Sequence, residues 1–88
     1  MQPFPHEAFA DLLTANEAYA QSYASSGLTG WAAKGLAVVT CMDSRIDPLA
    51  VLGMSPGDVK ILRNAGARVT DDVLRTLVLA TYLLGVTR

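Results

Sequence analysis

Leu36-Ala37-Val38-Val39-Thr40 runs without a break into Cys41-Met42-Asp43-Ser44-Arg45. The first five residues have the character of a strand covered on both faces, as in a parallel sheet held between helices. The next five carry the only cysteine of the chain, a carboxylate and a guanidinium. In open parallel sheets, chemistry collects in the crevice at the carboxyl ends of the strands. A thiolate placed there can bind a metal or attack an electrophile. The carboxylate two residues on can hold a water. The arginine two further can lock that carboxylate through a bidentate, charge-assisted pair.

Helices and a second strand alternate with this one. Pro5 to about Tyr23 predicts an amphipathic helix, with Phe9, Leu12, Leu13, Asn16, Tyr19 and Tyr23 at three- and four-residue steps. Pro5 suits its first turn and Glu7 the positive end of its dipole. Ser25-Ser26-Gly27 ends that helix, and Trp31 is expected to anchor the loop by packing. Asp47 and Pro48 start a short helix as N-cap and first residue. Ser55-Pro56-Gly57-Asp58 has the residue order of a type II turn. Val59–Leu62 is the second strand, with Lys60 as an edge-protecting charge, and Arg63-Asn64-Ala65-Gly66 follows as a tight loop. Thr70 caps the last helix, Asp71 and Asp72 complement its dipole, and Gly85 closes it. Val86-Thr87-Arg88 heads toward a third strand. This order predicts an α/β fold, a truncated parallel sheet of two strands flanked by helices. The expected organisation is a single partial domain over 1–88, with an N-terminal helix and loop at 1–30 and a βαβα core at 31–88.

Composition sets the remaining bounds. A chain of 88 residues makes one small domain that buries about 60–65% of its unfolded surface. With 51% hydrophobic and 17% charged residues, part of that surface is expected to meet a partner. The net charge of −1, without blocks of like sign, predicts no nucleic-acid or anionic-membrane surface. A lone cysteine cannot form an internal disulfide and fits a reducing compartment. The first residues lack the basic and apolar regions of a signal peptide. The longest apolar stretch, near Leu77–Val86, is about half of the roughly 20 residues a membrane span needs. A cytoplasmic, soluble protein is the expectation.

Two chemistries compete at Cys41. As a metal ligand it needs company, because catalytic zinc takes three protein ligands plus water. Asp43 is a second candidate, but two residues of one loop cannot enclose a metal alone. His6, the only histidine, lies on the predicted first helix as a solvated residue. As a nucleophile, Cys41 needs a positive environment. Phosphate-cradling loops place an arginine six positions after the cysteine, and here that position is Asp47. Asp43 and Asp47 oppose thiolate activation, so this reading is disfavoured. Asp71 and Asp72 likewise repel an anion from the last helix. The bland alternative for Cys41, Asp43 and Arg45 is a buried thiol beside a structural ion pair, and the residues alone leave it open.

Cys41-Met42-Asp43-Ser44-Arg45 resembles the β-class carbonic anhydrases, in which Cys-x-Asp-x-Arg follows the first strand of the sheet. The resemblance continues through Asp47-Pro48, Gly57-Asp58, Arg63-Asn64-Ala65-Gly66 and Thr70-Asp71-Asp72, covering roughly 36–88. It implies that Cys41 is a zinc ligand and that Asp43 and Arg45 are the catalytic dyad. Asp43 would accept a hydrogen bond from a zinc-bound water or, conditionally, bind the zinc itself, and Arg45 would draw it away. Asn64, Ala65 and Gly66 would form the loop beside the substrate pocket. The implied activity is the reversible, zinc-dependent hydration of carbon dioxide to bicarbonate. The family supplies a further histidine and cysteine from a His-x-x-Cys motif, which this sequence lacks. The 88 residues alone are therefore expected to bind zinc weakly and to lack appreciable activity. The implied partners are further copies in a homo-oligomer or a complementary C-terminal segment. The competing expectation is a non-catalytic assembly fragment that pairs through its open sheet edge.

Overall fold

In a computed structural model, which describes residues 2–88, the chain forms two parallel strands and four helical segments. A 3-10 turn at His6–Phe9 leads into α1, Ala10–Gln21. Strand β1 spans Leu36–Cys41, α2 spans Pro48–Leu52, β2 spans Val59–Asn64 and α3 spans Asp71–Leu83. This is the expected α/β arrangement. β1 and β2 pair in parallel from Leu36 opposite Val59 to Cys41 opposite Asn64.

The local chemistry behind these elements is visible at their ends. Asp47 accepts a hydrogen bond from the Ala50 N–H, and Pro48 occupies the first turn of α2. Thr70 Oγ1 accepts from the Val73 N–H at 3.3 Å, while Asp71 and Asp72 fill the first turn of α3. The Ser55–Asp58 turn closes through Asp58 N–H to Ser55 O at 3.1 Å, with Gly57 at φ 93°. That positive φ is what the third position of a type II turn demands. Gly85, at φ 79°, turns the chain out of α3. Trp31 anchors its loop there, because its indole lies against the Gly85 backbone so closely that a Cβ would collide with it.

Two expectations change. β2 runs two residues beyond Leu62 and takes Arg63 and Asn64 out of the loop. The reason is an extra rung: Met42 N–H donates to Asn64 O at 2.8 Å, so pairing continues past the end of β1. The first helix becomes α-helical only from Ala10 and ends at Gln21, ahead of Ser25. None of its residues is buried. Its apolar stripe, including Leu12 and Tyr19, is exposed, and its sustained packing is with the 3-10 turn before it.

The core is correspondingly small. Ala32, Ala80 and Val86 cluster under partly buried Ala37, and Val73 is buried separately. The radius of gyration is 16.0 Å, against about 12 Å for a compact chain of this length. Val86-Thr87-Arg88 lies along the free side of β1. Ala37 N–H donates to Arg88 O at 2.9 Å, and Arg88 N–H donates to Gly35 O at 3.0 Å. This alternation is the hydrogen-bond pattern of a parallel strand at its first residue. Beyond it, Ala37, Val39, Leu77, Thr81 and Val86 border an open groove of about 340 Å³.

Candidate metal and catalytic site

The register sets the site. Because Cys41 stands opposite Asn64, the loops that follow β1 and β2 emerge side by side at the carboxyl end of the sheet. That is where an open parallel sheet holds its ligands. The half-buried Cys41 thiol faces the second loop, and the Gly66 N–H donates to its Sγ at 3.4 Å. The thiol is lowered below its ordinary value, chiefly by that N–H and then by the Asp43 backbone, against the raising effects of desolvation and the Asp43 charge. Thiolate is the form that binds metal.

Asp43 and Arg45 form the site's ion pair. Arg45 Nη2 donates to Asp43 Oδ2 at 2.7 Å, and Nε donates to Oδ1 at 3.1 Å. The Arg45 backbone N–H also donates to Oδ1, at 2.9 Å. These bonds hold the Asp43 carboxyl below its usual range, the Arg45 side chain first and its backbone second, with a smaller contribution from the Arg63 charge. Asp43 raises Arg45 in return. The Arg45 side chain is 88% exposed, so water competes for the pair and its geometry relies on the backbone beneath it.

The second loop is closed by its own side chains. Asn64 Nδ2 donates to Arg68 O and Asn64 Oδ1 accepts from the Arg68 N–H, both at 2.7 Å. Arg68 Nε donates to Ala65 O at 2.9 Å. This clamp keeps Ala67 at φ 55°, a conformation that disfavours a side chain, and aims the Gly66 N–H at the sulfur. Asn64 and Gly66 thus both bear on Cys41, Asn64 through the loop it closes.

Arg63 was absent from the sequence-derived site. Its guanidinium crosses to the first loop and donates to three backbone carbonyls: Nε to Cys41 O at 3.0 Å, and Nη2 to Asp43 O at 2.9 Å and Ile46 O at 3.2 Å. The signal lay in the register, which sets Arg63 opposite Thr40, one residue before the cysteine. His6 stays on the N-terminal turn, with Nδ1 2.9 Å from Phe4 O. Among the described residues no group of three His, Cys, Asp or Glu side chains comes together to hold a metal.

A sequence profile of the carbonic anhydrase family matches residues 36–88. The chain belongs to the β-carbonic anhydrase family. It is similar to β-carbonic anhydrase 1 of Mycobacterium tuberculosis, at 48% identity over 52 residues, which cover 59% of this chain and 32% of that protein. It is also similar to the carbon disulfide hydrolase of an Acidianus strain, at 48% identity over 48 residues, covering 54% of this chain and 24% of that one. Among solved structures, the carbonic anhydrase of Streptococcus mutans superposes with a TM-score of 0.82 at 42% identity, over 96% of this chain and 49% of that one. The chain thus spans about a third or less of these two curated relatives and about half of the superposed structure.

Cys41 suits zinc in kind, as a soft thiolate, and Asp43 suits it as a carboxylate ligand. In number these two fall short of the three protein ligands of a catalytic site. The donor set therefore fits one half of a zinc centre. No helix among the described residues is long and apolar enough to cross a membrane.

Proposed function

We propose that this chain carries the thiolate, carboxylate and arginine half of a zinc centre for the reversible hydration of carbon dioxide to bicarbonate. The observation that carries this reading is the Asp43–Arg45 pair held beside a cysteine whose sulfur accepts a backbone N–H. Cys41 would hold the metal through Sγ. Zinc, when bound, supplies the Lewis acidity that brings a water's pKa to about 7. Arg45 occupies the Asp43 carboxylate and, with zinc bound, would keep it off the metal and leave a free lone pair to orient a water. Asn64, Ala65 and Gly66 would border the substrate, a small uncharged molecule. The relative named as a carbon disulfide hydrolase makes carbon disulfide the natural second substrate to assay.

The other ligands must come from outside these residues, as from a complementary C-terminal segment, because a further copy of the same sequence would add only Cys41, Asp43 and His6. The uncovered α1 supports association between copies. A second reading, a non-catalytic assembly fragment, is favoured by the apolar groove along β1, because an open strand edge invites pairing.

Zinc content and carbon dioxide hydration, measured on one sample with and without Cys41→Ser, test the proposal. We expect weak zinc uptake that depends on Cys41, and no appreciable turnover by the chain alone. Zinc uptake indifferent to Cys41 would refute the assigned ligand. A zinc-free, stably paired chain would favour the assembly reading.

A further inference from the structure

The Cys41–Ile46 segment has little to hold it in place. Cys41 ends β1, and Met42–Ile46 is a loop of turns beyond it, whose conspicuous side-chain bond, Arg45 to Asp43, joins two residues of the loop itself. A pair internal to a loop fixes one side chain against another without fixing either to the body of the protein. The ties across to the body include the Met42 N–H to Asn64 O rung, the Gly66 N–H to Cys41 Sγ bond and the three bonds from Arg63.

We infer that Arg63 is the positioning residue of this site: it fixes the Cys41–Ile46 backbone to β2, and so sets where the Cys41 thiol and the Asp43 carboxylate stand. The three carbonyls it engages lie at the last residue of β1, at the acid and at the end of the loop. Nε carries one hydrogen and gives it to Cys41 O. Nη2 carries two and divides them between Asp43 O and Ile46 O. Only a planar fork with several N–H groups in fixed directions meets three converging carbonyls in this way. A lysine ammonium has the charge but lacks the fork. The two arginines therefore divide the work, with Arg45 orienting the carboxylate and Arg63 orienting the backbone from which it hangs. A positioning role at a catalytic centre rests on the metal reading proposed above, whereas the mechanical role stands without it.

The experiment uses the whole 88-residue chain, 15N-labelled and free of metal, as wild type, Arg63→Lys and Arg63→Gln. Amide order parameters for Met42–Ile46 are expected to fall from the rigid value of about 0.85 to below about 0.6 in both variants. Those of Leu36–Thr40 and Val59–Leu62 are expected to keep their wild-type values. Arg63→Lys retains the charge and stem, so its failure to rescue the loop separates fork geometry from charge and from general stability. Loop order kept in both variants, or restored by lysine, would overturn the inference. So would loss of order in loop and strands alike. Zinc affinity, read by competition with a chromophoric chelator, is expected to weaken about 10–100-fold in both variants. A wild-type chain that takes up no zinc at all would count against the metal reading, while the order parameters, recorded without metal, still decide the positioning.

Discussion

Arg45 grips Asp43 at both carboxylate oxygens and adds its own backbone N–H to one of them. Ionised Asp43 is favoured in the folded chain, so its folded pKa lies below its unfolded one. The stability it contributes is fully present above the ordinary carboxylate range and is lost only as pH falls through the depressed folded value. In a 13C carboxyl titration, Asp43 should therefore ionise below the ordinary aspartate value. Arg45→Gln should move its midpoint upward. An Asp43 midpoint indifferent to that substitution would mean that the pair does not form in solution.

Gly85 is constrained twice, by its φ of 79° and by the Trp31 indole on its surface. Gly85→Ala must relax both, at a cost of about 2 kcal/mol or more. Thermal unfolding followed by Trp31 fluorescence should show a midpoint lower by roughly 10 °C. An unchanged midpoint would show that the indole does not rest there.

The Asn64 carboxamide closes its loop with two bonds to the Arg68 backbone. Asn64→Ala releases that loop and with it the Gly66 N–H that favours the Cys41 thiolate. The alkylation rate of Cys41 at neutral pH should drop severalfold, because the thiolate is the reacting form. Asn64→Asp keeps one acceptor for the Arg68 N–H and should lose less. Equal rates in all three proteins would remove Asn64 from the chain of influence on the sulfur.

A helix of 12 residues with no buried side chain lies at the limit of what holds together in water. If copies cover one another's α1, helicity and mass should fall together on dilution. Circular dichroism at the helix band and sedimentation velocity, run over the same concentrations, test this. Constant helicity in a protein that stays monomeric throughout would exclude α1 as the contact.

The parts legible in the sequence share one property: their partners are close along the chain. Asp47 and Thr70 cap helices three residues away, and Arg45 meets Asp43 across two. Such contacts follow from residue type and spacing, which is why the Asp43–Arg45 ion pair and both caps stand where the sequence placed them. The Arg63 clamp links residues 17 to 22 apart, and the Gly66 bond to Cys41 links residues 25 apart. Those depend on the register of two parallel strands, which hydrophobic pattern alone does not set. The extent of β2 was hidden for the same reason, since its last rung belongs to Met42 on the other strand. The exposure of α1 was hidden differently. Its stripe announces burial without saying against what.

Gly35 accepts hydrogen bonds from both Thr87 and Arg88, positions separated from it by 52 and 53 residues in the sequence. Contacts this distant must wait until the intervening chain has been made and folded back, and long-range parallel pairing is slow for that reason. During synthesis, β1 therefore emerges with neither neighbour. It gains β2 first and its other flank only when the last of these residues leave the ribosome. Residues 86–88 close only the start of that flank, at Gly35 and Ala37, and the edge at Val39 still borders the open groove once they are in place. Holding such an edge apart from other nascent chains is chaperone work, and yield in the cell should follow translation speed across the α3 segment.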